Sequence, residues 1–173
     1  HFQTFTDTAD KSKGAARLAD LRAELGRRGL DGFLIPRSDE HQNEYVPPCA
    51  ERLAWLTGFS GSAGTAIVLS DAATILVDGR YTLQVRDQVD TKVFDPVAIA
   101  ETTAEQWIER NAPRGAKVGF DPWLTTLSQR ERYEKAATKA GARPRSARLP
   151  SFAPLAAPLG RHVLAPHRPC RVG

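Results

Sequence analysis

Two β-branched runs, TAIVLS (65–70) and ATILVDG (73–79), stand back to back with only a tight turn at Ser70-Asp71 between them. Such a pair reads as an antiparallel hairpin. The hairpin constrains the fold strongly, because helical and strand-like segments alternate on both sides of it. Alternation alone would give a parallel sheet with helices on its faces. A hairpin in the middle requires an α/β domain with a mixed β-sheet flanked by helices.

The flanking segments supply the other layers. KSKGAARLADLRAELGRRGL (11–30) spaces Leu18, Leu21 and Leu25 by three and four residues between charged positions, an amphipathic helix ending near Gly29. DGFLIP (31–36) follows as a buried strand closed by Pro36, and the polar RSDEHQNEYVPP (37–48) as a loop. ERLAWLTG (51–58) reads as a short helix with Leu53, Trp55 and Leu56 inward. After the hairpin, YTLQVRDQVD (81–90) has helical spacing through Leu83, Val85 and Val89, and KVFDPV (92–97) reads as a strand. Thr102-Thr103-Ala104-Glu105 is a capping box that opens a helix carrying Trp107 and Ile108, KVGFDP (117–122) is a further strand, and Ser128-x-x-Glu131 caps a last helix reaching about Ala140.

From residue 141 the text changes. The segment 141–173 is rich in Pro, Arg and Ala, holds half of the twelve prolines and has no periodic apolar face, so it is expected to be irregular. Residues 1–11 are expected to be a disordered or tag-derived start, and 12–140 the folded domain. The overall charge of +4 belongs to the end of the chain: after Glu134 there are eight Lys and Arg and no acid, which leaves residues 1–134 at −4. With no interleaved basic and aromatic surface on an acidic folded part, nucleic-acid binding is not expected. No window approaches the roughly 18 to 20 apolar residues of a membrane span, and the polar N-terminus has no signal-peptide core. Cys49 and Cys170 stand far apart in different contexts, which suits a reducing compartment, so a cytoplasmic location is expected.

The glycine-rich stretch GFSGSAG (58–64) invites a catalytic reading, yet its spacing fits none. A phosphate loop needs Lys followed by Ser or Thr after its last Gly, and here Thr65-Ala66 follows. A nucleophile elbow needs Gly two residues before and after its Ser; neither Ser60 nor Ser62 has both. A dinucleotide loop needs strand then helix, and here the order is reversed. The stretch is therefore a turn whose small residues allow a ligand or another chain to approach the backbone. Asp39, Glu40 and Glu44 form either a hard-ion cage or a solvated acidic loop, and His162, His167 and Cys170 lack a zinc spacing. Asp78-Gly79-Arg80-Tyr81 reads as a turn with a capping Asp and an ion-paired Arg, or as a ligand or subunit contact.

Read together, EHQNEYVPPCAERLAWLTGFSGSAGTAIVL (40–69), LVDGRYTLQVRDQVD (76–90) and KVGFDP (117–122) resemble the N-terminal domain of Xaa-Pro aminopeptidase (aminopeptidase P) of the three-domain cytosolic type, and more distantly that of prolidase and creatinase. The succession HQ-x-EY-x-x-PC, GF-x-GSAGTA and DGRY-x-LQ at matching intervals is more specific than any one motif, and the resemblance covers about residues 12–140.

The resemblance implies a mixed sheet flanked by helices. It places hydrolysis of the Xaa-Pro bond in a separate C-terminal pita-bread domain, where two Asp, one His and two Glu hold two manganese ions. No stretch here matches those motifs. The chain is thus expected to be a non-catalytic fragment, truncated before the catalytic domain, with no metal, cofactor or catalytic residue of its own. It would take part in oligomerisation and border the active site of a peptidase acting on proline-containing peptides, with the catalytic domain and further copies as partners. The substrate-facing or interface residues implied are His41, Tyr45, Phe59, Ser60, Ser62 and Arg80. Where such relatives continue into a strand and a linker, the segment after 140 matches nothing in them, and we expect an out-of-frame read-through or an artificial extension. The alternative is a free-standing module that binds a small ligand or a protein with the same fold and no peptidase.

Overall fold

The computed structural model describes residues 10–43, 45–47 and 50–149. Within them a six-stranded sheet runs in the order β4-β3-β2-β1-β5-β6. The strands are β1 (Gly32–Pro36), β2 (Gly64–Leu69), β3 (Ala73–Val77), β4 (Asp95–Ala98), β5 (Lys117–Phe120) and β6 (Arg143–Ser146). β2 is antiparallel to both β1 and β3, while β1–β5, β3–β4 and β5–β6 are parallel. The hairpin is the β2–β3 pair, in register Gly64↔Val77, and the sheet is mixed as expected.

Alternation along the central strands builds two cores. Phe33, Ile35, Ala66, Val68, Ile75 and Val77 face one side, where they meet Leu18, Leu21 and Leu25 of α1 (Gly14–Arg27) and Leu53 and Leu56 of α2 (Arg52–Thr57). Leu34, Ile67, Leu69 and Leu76 face the other, against Trp107 and Ile108 of α4 (Ala104–Asn111) and Tyr133, Ala136 and Ala137 of α5 (Leu127–Lys139). Strands buried on both faces must read as unbroken apolar runs, which is why TAIVL and ATILV carry no polar alternation beyond threonine. The third helix, α3 (Thr82–Gln88), joins β3 to β4.

Several local expectations shift. α1 is preceded by a 3-10 turn at Lys11–Lys13, whose N-cap Asp10 accepts from the Ser12 N–H, so ordered structure begins inside the segment expected to be disordered. Trp55 is half-buried, with the Arg17 guanidinium 5.1 Å from its ring centroid. Leu83 is 80% exposed, because a spacing of two residues, about 200° around a helix, sets it on the face opposite Val85, which alone is buried within α3. Residues 92–94 form a turn, and β4 begins at Asp95.

Both capping boxes form, one and two residues from the expected positions. The Thr103 hydroxyl accepts from the Gln106 N–H and the Gln106 carboxamide from the Thr103 N–H, at 3.3 and 3.0 Å. Thr126 and Gln129 repeat the pattern at 3.3 and 2.9 Å. Thr102 is unavailable as the cap because its N–H is held by Ala98 O in the turn that ends β4.

The largest correction lies after residue 140. Arg143–Ser146, expected to be irregular, pairs in parallel with β5 from Lys117↔Arg143 to Phe120↔Ser146, and Leu149 is buried in the α1-side core. The folded unit therefore runs at least to residue 149. Residues 1–9 and 150–173, with His162, His167 and Cys170, and also Glu44, Pro48 and Cys49, lie outside the described residues.

Candidate functional site

The registers decide where the loops gather. β1, β3, β4, β5 and β6 all end, and β2 begins, at one edge of the sheet. That rim carries the loop 37–51 after β1, the stretch 58–64 leading into β2, the turn 78–81 after β3 and the loop 121–126 after β5. Ligands of open α/β sheets bind at the carboxyl ends of strands, so the rim is the place to test the candidate residues.

GFSGSAG is organised from beneath. Gly58, at φ +82°, ends α2 in a left-handed cap, and a Cβ there would stand 2.8 Å from Gln88 O. The Thr57 hydroxyl donates to Leu53 O at 2.8 Å and accepts from the Phe59 N–H at 3.1 Å, turning Phe59 into the core, where it is 1% exposed. A Cβ on Gly61 would lie 2.2 Å from the Phe59 ring, and one on Gly64 3.1 Å from it. The space left by these two glycines is thus filled by the chain's own phenyl ring. Phe59 is not a surface residue and is withdrawn from the substrate-facing or interface set.

The polar residues of this stretch are tied to α3 and its entry. Ser60 Oγ accepts from Gln88 Nε2 at 2.8 Å and from Gln84 Nε2 at 3.3 Å, and the Ser60 N–H donates to Gln88 Oε1 at 3.0 Å. Ser62 Oγ lies 2.6 Å from the Tyr81 hydroxyl, and the Tyr81 ring meets Phe59 edge-on at 5.6 Å. That bond from Ser62 stabilises the phenolate and holds the Tyr81 phenol below its ordinary value. Asp78 accepts from the N–H of Arg80 at 3.0 Å and from its Nε at 2.9 Å, and the backbone bond first, then the guanidinium, hold the Asp78 carboxyl low. Of the two readings of residues 78–81, the structure shows the capping Asp and the ion pair, with the Arg80 guanidinium 5.5 Å from the Tyr81 ring centroid.

The loop after β1 has a different centre. Asp39 is buried and accepts from the N–H groups of His41 and Asn43 and from Asn43 Nδ2, at 3.0, 2.9 and 2.9 Å. Burial alone would raise its carboxyl; the three donors, Asn43 first, hold it below the ordinary value. Around this turn His41 is exposed and Tyr45 is 85% exposed. The loop is anchored by Ser38 Oγ donating to Leu124 O at 2.9 Å and by Glu40 facing Arg148 at 3.4 Å. Arg37 bridges towards the glycine-rich stretch, donating to Ser62 O at 3.2 Å. His41 and Tyr45 therefore share the rim with Ser60, Ser62 and Arg80, but among the described residues no hydrogen bond joins their side chains to that group.

Two further features of the rim had no place in the sequence reading. Asp121 is 1% exposed, receives the Trp123 N–H at 2.9 Å and pairs with Arg52 at 3.0 Å. Trp123 is 55% exposed and stacks on the Arg148 guanidinium at 4.6 Å. The Asp of FDP announces the first only as a turn residue, and nothing local announces that its partner lies on α2. Gln84 and Gln88, spaced by four on one helix face, were legible as a pair but not as partners of Ser60.

The Creatinase/Prolidase N-terminal domain family matches residues 17–149, nearly the whole described unit. The chain belongs to this family. As a creatinase/prolidase N-terminal domain it is 38% identical over 119 residues to human Xaa-Pro aminopeptidase 2, an alignment that covers 69% of this chain and 18% of that protein. It is 37% identical over 128 residues to a probable Xaa-Pro aminopeptidase P of Pyricularia oryzae, covering 72% and 21%. Among solved structures it is similar to X-prolyl aminopeptidase of Caenorhabditis elegans, a cytosolic enzyme with a di-nuclear active site, with TM-score 0.70, 30% identity and coverage of 77% and 24%. It is also similar to the N-terminal domain of cytoplasmic peptidase PepQ of Mycobacterium tuberculosis, with TM-score 0.58, 28% identity and coverage of 76% and 92%. The chain thus spans about a fifth of the length of the curated relatives it matches and corresponds to their N-terminal domain.

The donor set of the described residues does not fit a pair of manganese ions. Among the described residues no three His, Cys, Asp or Glu converge, Asp39 is taken up by its own loop and Asp121 by Arg52. Of the cage weighed for Asp39, Glu40 and Glu44, Glu40 faces Arg148, and Glu44 lies outside the described residues. No helix among the described residues is long and apolar enough to cross a membrane.

Proposed function

We propose that this domain is the non-catalytic N-terminal unit of a cytoplasmic Xaa-Pro aminopeptidase, bordering the active site of a separate, manganese-dependent catalytic domain and taking part in oligomerisation. The observation that carries the reading is the family match across residues 17–149 together with Xaa-Pro aminopeptidases at 36–40% identity. The rim supplies the means. Ser62, Tyr81 and Arg80 form one fixed polar group, His41 and Tyr45 stand exposed on the neighbouring loop, and all of them border the catalytic domain and its proline-containing peptides.

The test is a peptidase assay on an Xaa-Pro peptide with added manganese, run on the chain alone and mixed with the separately produced catalytic domain of a relative. The expected result is no cleavage by the chain alone and a changed rate or oligomeric state of the catalytic domain in the mixture. Cleavage by the chain alone would overturn the reading. An unchanged catalytic domain in the mixture favours instead a free-standing binding module.

A further inference from the structure

The α1-side face of the sheet ends, at β5 and β6, in a cleft of about 390 Å³ between the turn that joins α1 to β1 and strand β6. Val118 and Phe120 point into the α5-side core, so Lys117 and Gly119 face the α1 side. Their register partners Arg143 and Arg145 share that face. Arg28, Lys117, Arg145 and Arg148 line the cleft. The acids around it are already engaged: Glu24 bridges Arg27 and Arg28, Glu40 faces Arg148, and Asp31 accepts the Lys117 N–H. Lys117, Arg143 and Arg145 have no ion pair among the described residues, and Arg143 and Arg145 are exposed.

The outer edge of β6 limits how a partner can approach. Arg143 N bonds Ala116 O and Ala147 N bonds Phe120 O, so odd-numbered residues face β5 and residues 144 and 146 face outward. Residue 144 is proline and offers no donor. Pro96 stands at the same outward position of the opposite edge strand, since Ile99 N bonds Val77 O. Neither edge is built to add a strand, which leaves side-chain recognition over the face.

We propose that this cleft, with the face of β6 beside it, is the docking site for an extended acidic polypeptide segment, its carboxylates received by Lys117 and Arg145 in the cleft and by Arg143 on the adjoining face. Alternate residues of a strand are spaced about 6.6 Å apart. Arg143 and Arg145 therefore match carboxylates at alternate positions of an extended peptide better than a single compact anion. No aromatic side chain lines the cleft, so it has no stacking platform for bases.

The experiment is fluorescence anisotropy at low salt with the full chain and a labelled peptide of alternating glutamate and alanine. Saturable binding is expected, weakening as salt screens the charges and falling about tenfold or more in K117E/R145E. K135E, on the exposed side of α5, should leave it unchanged. Circular dichroism reports whether K117E/R145E folds; if it does not, K117Q/R145Q takes its place with the same expected direction. Absence of saturable binding, an equal loss in K135E, tighter binding of a single-stranded oligonucleotide of the same length, or full competition by inorganic phosphate at equal charge concentration would each overturn the proposal.

Discussion

The two loops that face each other across the rim are held by opposite means. Residues 58–64 are wrapped around a buried phenyl ring, with glycines at the positions where any side chain would strike that ring or a neighbouring carbonyl. Residues 37–43 are folded around a buried carboxylate that accepts three hydrogen bonds. The first is an apolar device and should fail by loss of packing, with little dependence on pH. The second is an electrostatic device and should fail in acid. A glycine-rich loop at the carboxyl ends of sheet strands therefore need not be a ligand cradle; here its glycines serve the loop's own packing.

The comparison breaks most severely at Phe59. Phe59→Ala should destabilise the domain by about 3–5 kcal/mol, read by urea or thermal unfolding, because it empties the space around which the loop is built. If the loss is under about 1 kcal/mol, the ring is not the organiser. Asp121→Ala, which leaves the buried Arg52 guanidinium unpaired, is expected to cost about 3 kcal/mol. Asp121→Asn should recover part of this by keeping an acceptor for the Trp123 N–H. Gly61→Ala should cost about 1–3 kcal/mol, since the new methyl would overlap the phenyl ring.

Asp39 sharpens the contrast through pH. Its folded carboxyl titrates below the ordinary 3.8, so the stability it contributes is present above that value and is lost as the pH falls through the folded value. Asp39→Asn should lower stability at neutral pH and flatten the acid limb of the stability curve. Phe59→Ala should leave the shape of that limb unchanged. The smallest effect is expected at Ser62→Ala, which should return the Tyr81 phenol towards 10.0 in a UV-difference titration.

Much of this domain was legible in its residues. The hairpin, the leucine spacing of α1, the apolar run of β1 and the Thr102-x-x-Glu105 and Ser128-x-x-Glu131 texts are local signals, and each marks an element that forms with its bounds shifted by a few residues. The first capping box moved by one residue because the Thr102 N–H is already bound by Ala98 O, which leaves Thr103 as the cap. The candidate site was legible only as a set of polar loops. Phe59 entered the substrate-facing or interface set through the family resemblance, yet the hydroxyl of Thr57 turns it inward.

By itself the sequence determined the layered α/β class, the mixed sheet and the family, since periodicity and motif order are carried by neighbours along the chain. Tertiary structure alone decided that Arg143–Ser146 is a strand, that Arg52 meets Asp121 and that Ser60 meets Gln84 and Gln88. The physical reason is the same in each case. A four-residue strand containing proline has no periodic signal of its own and takes its conformation from the ladder offered by β5. A buried ion pair between residues 69 positions apart exists only once the sheet has brought α2 over the end of β5.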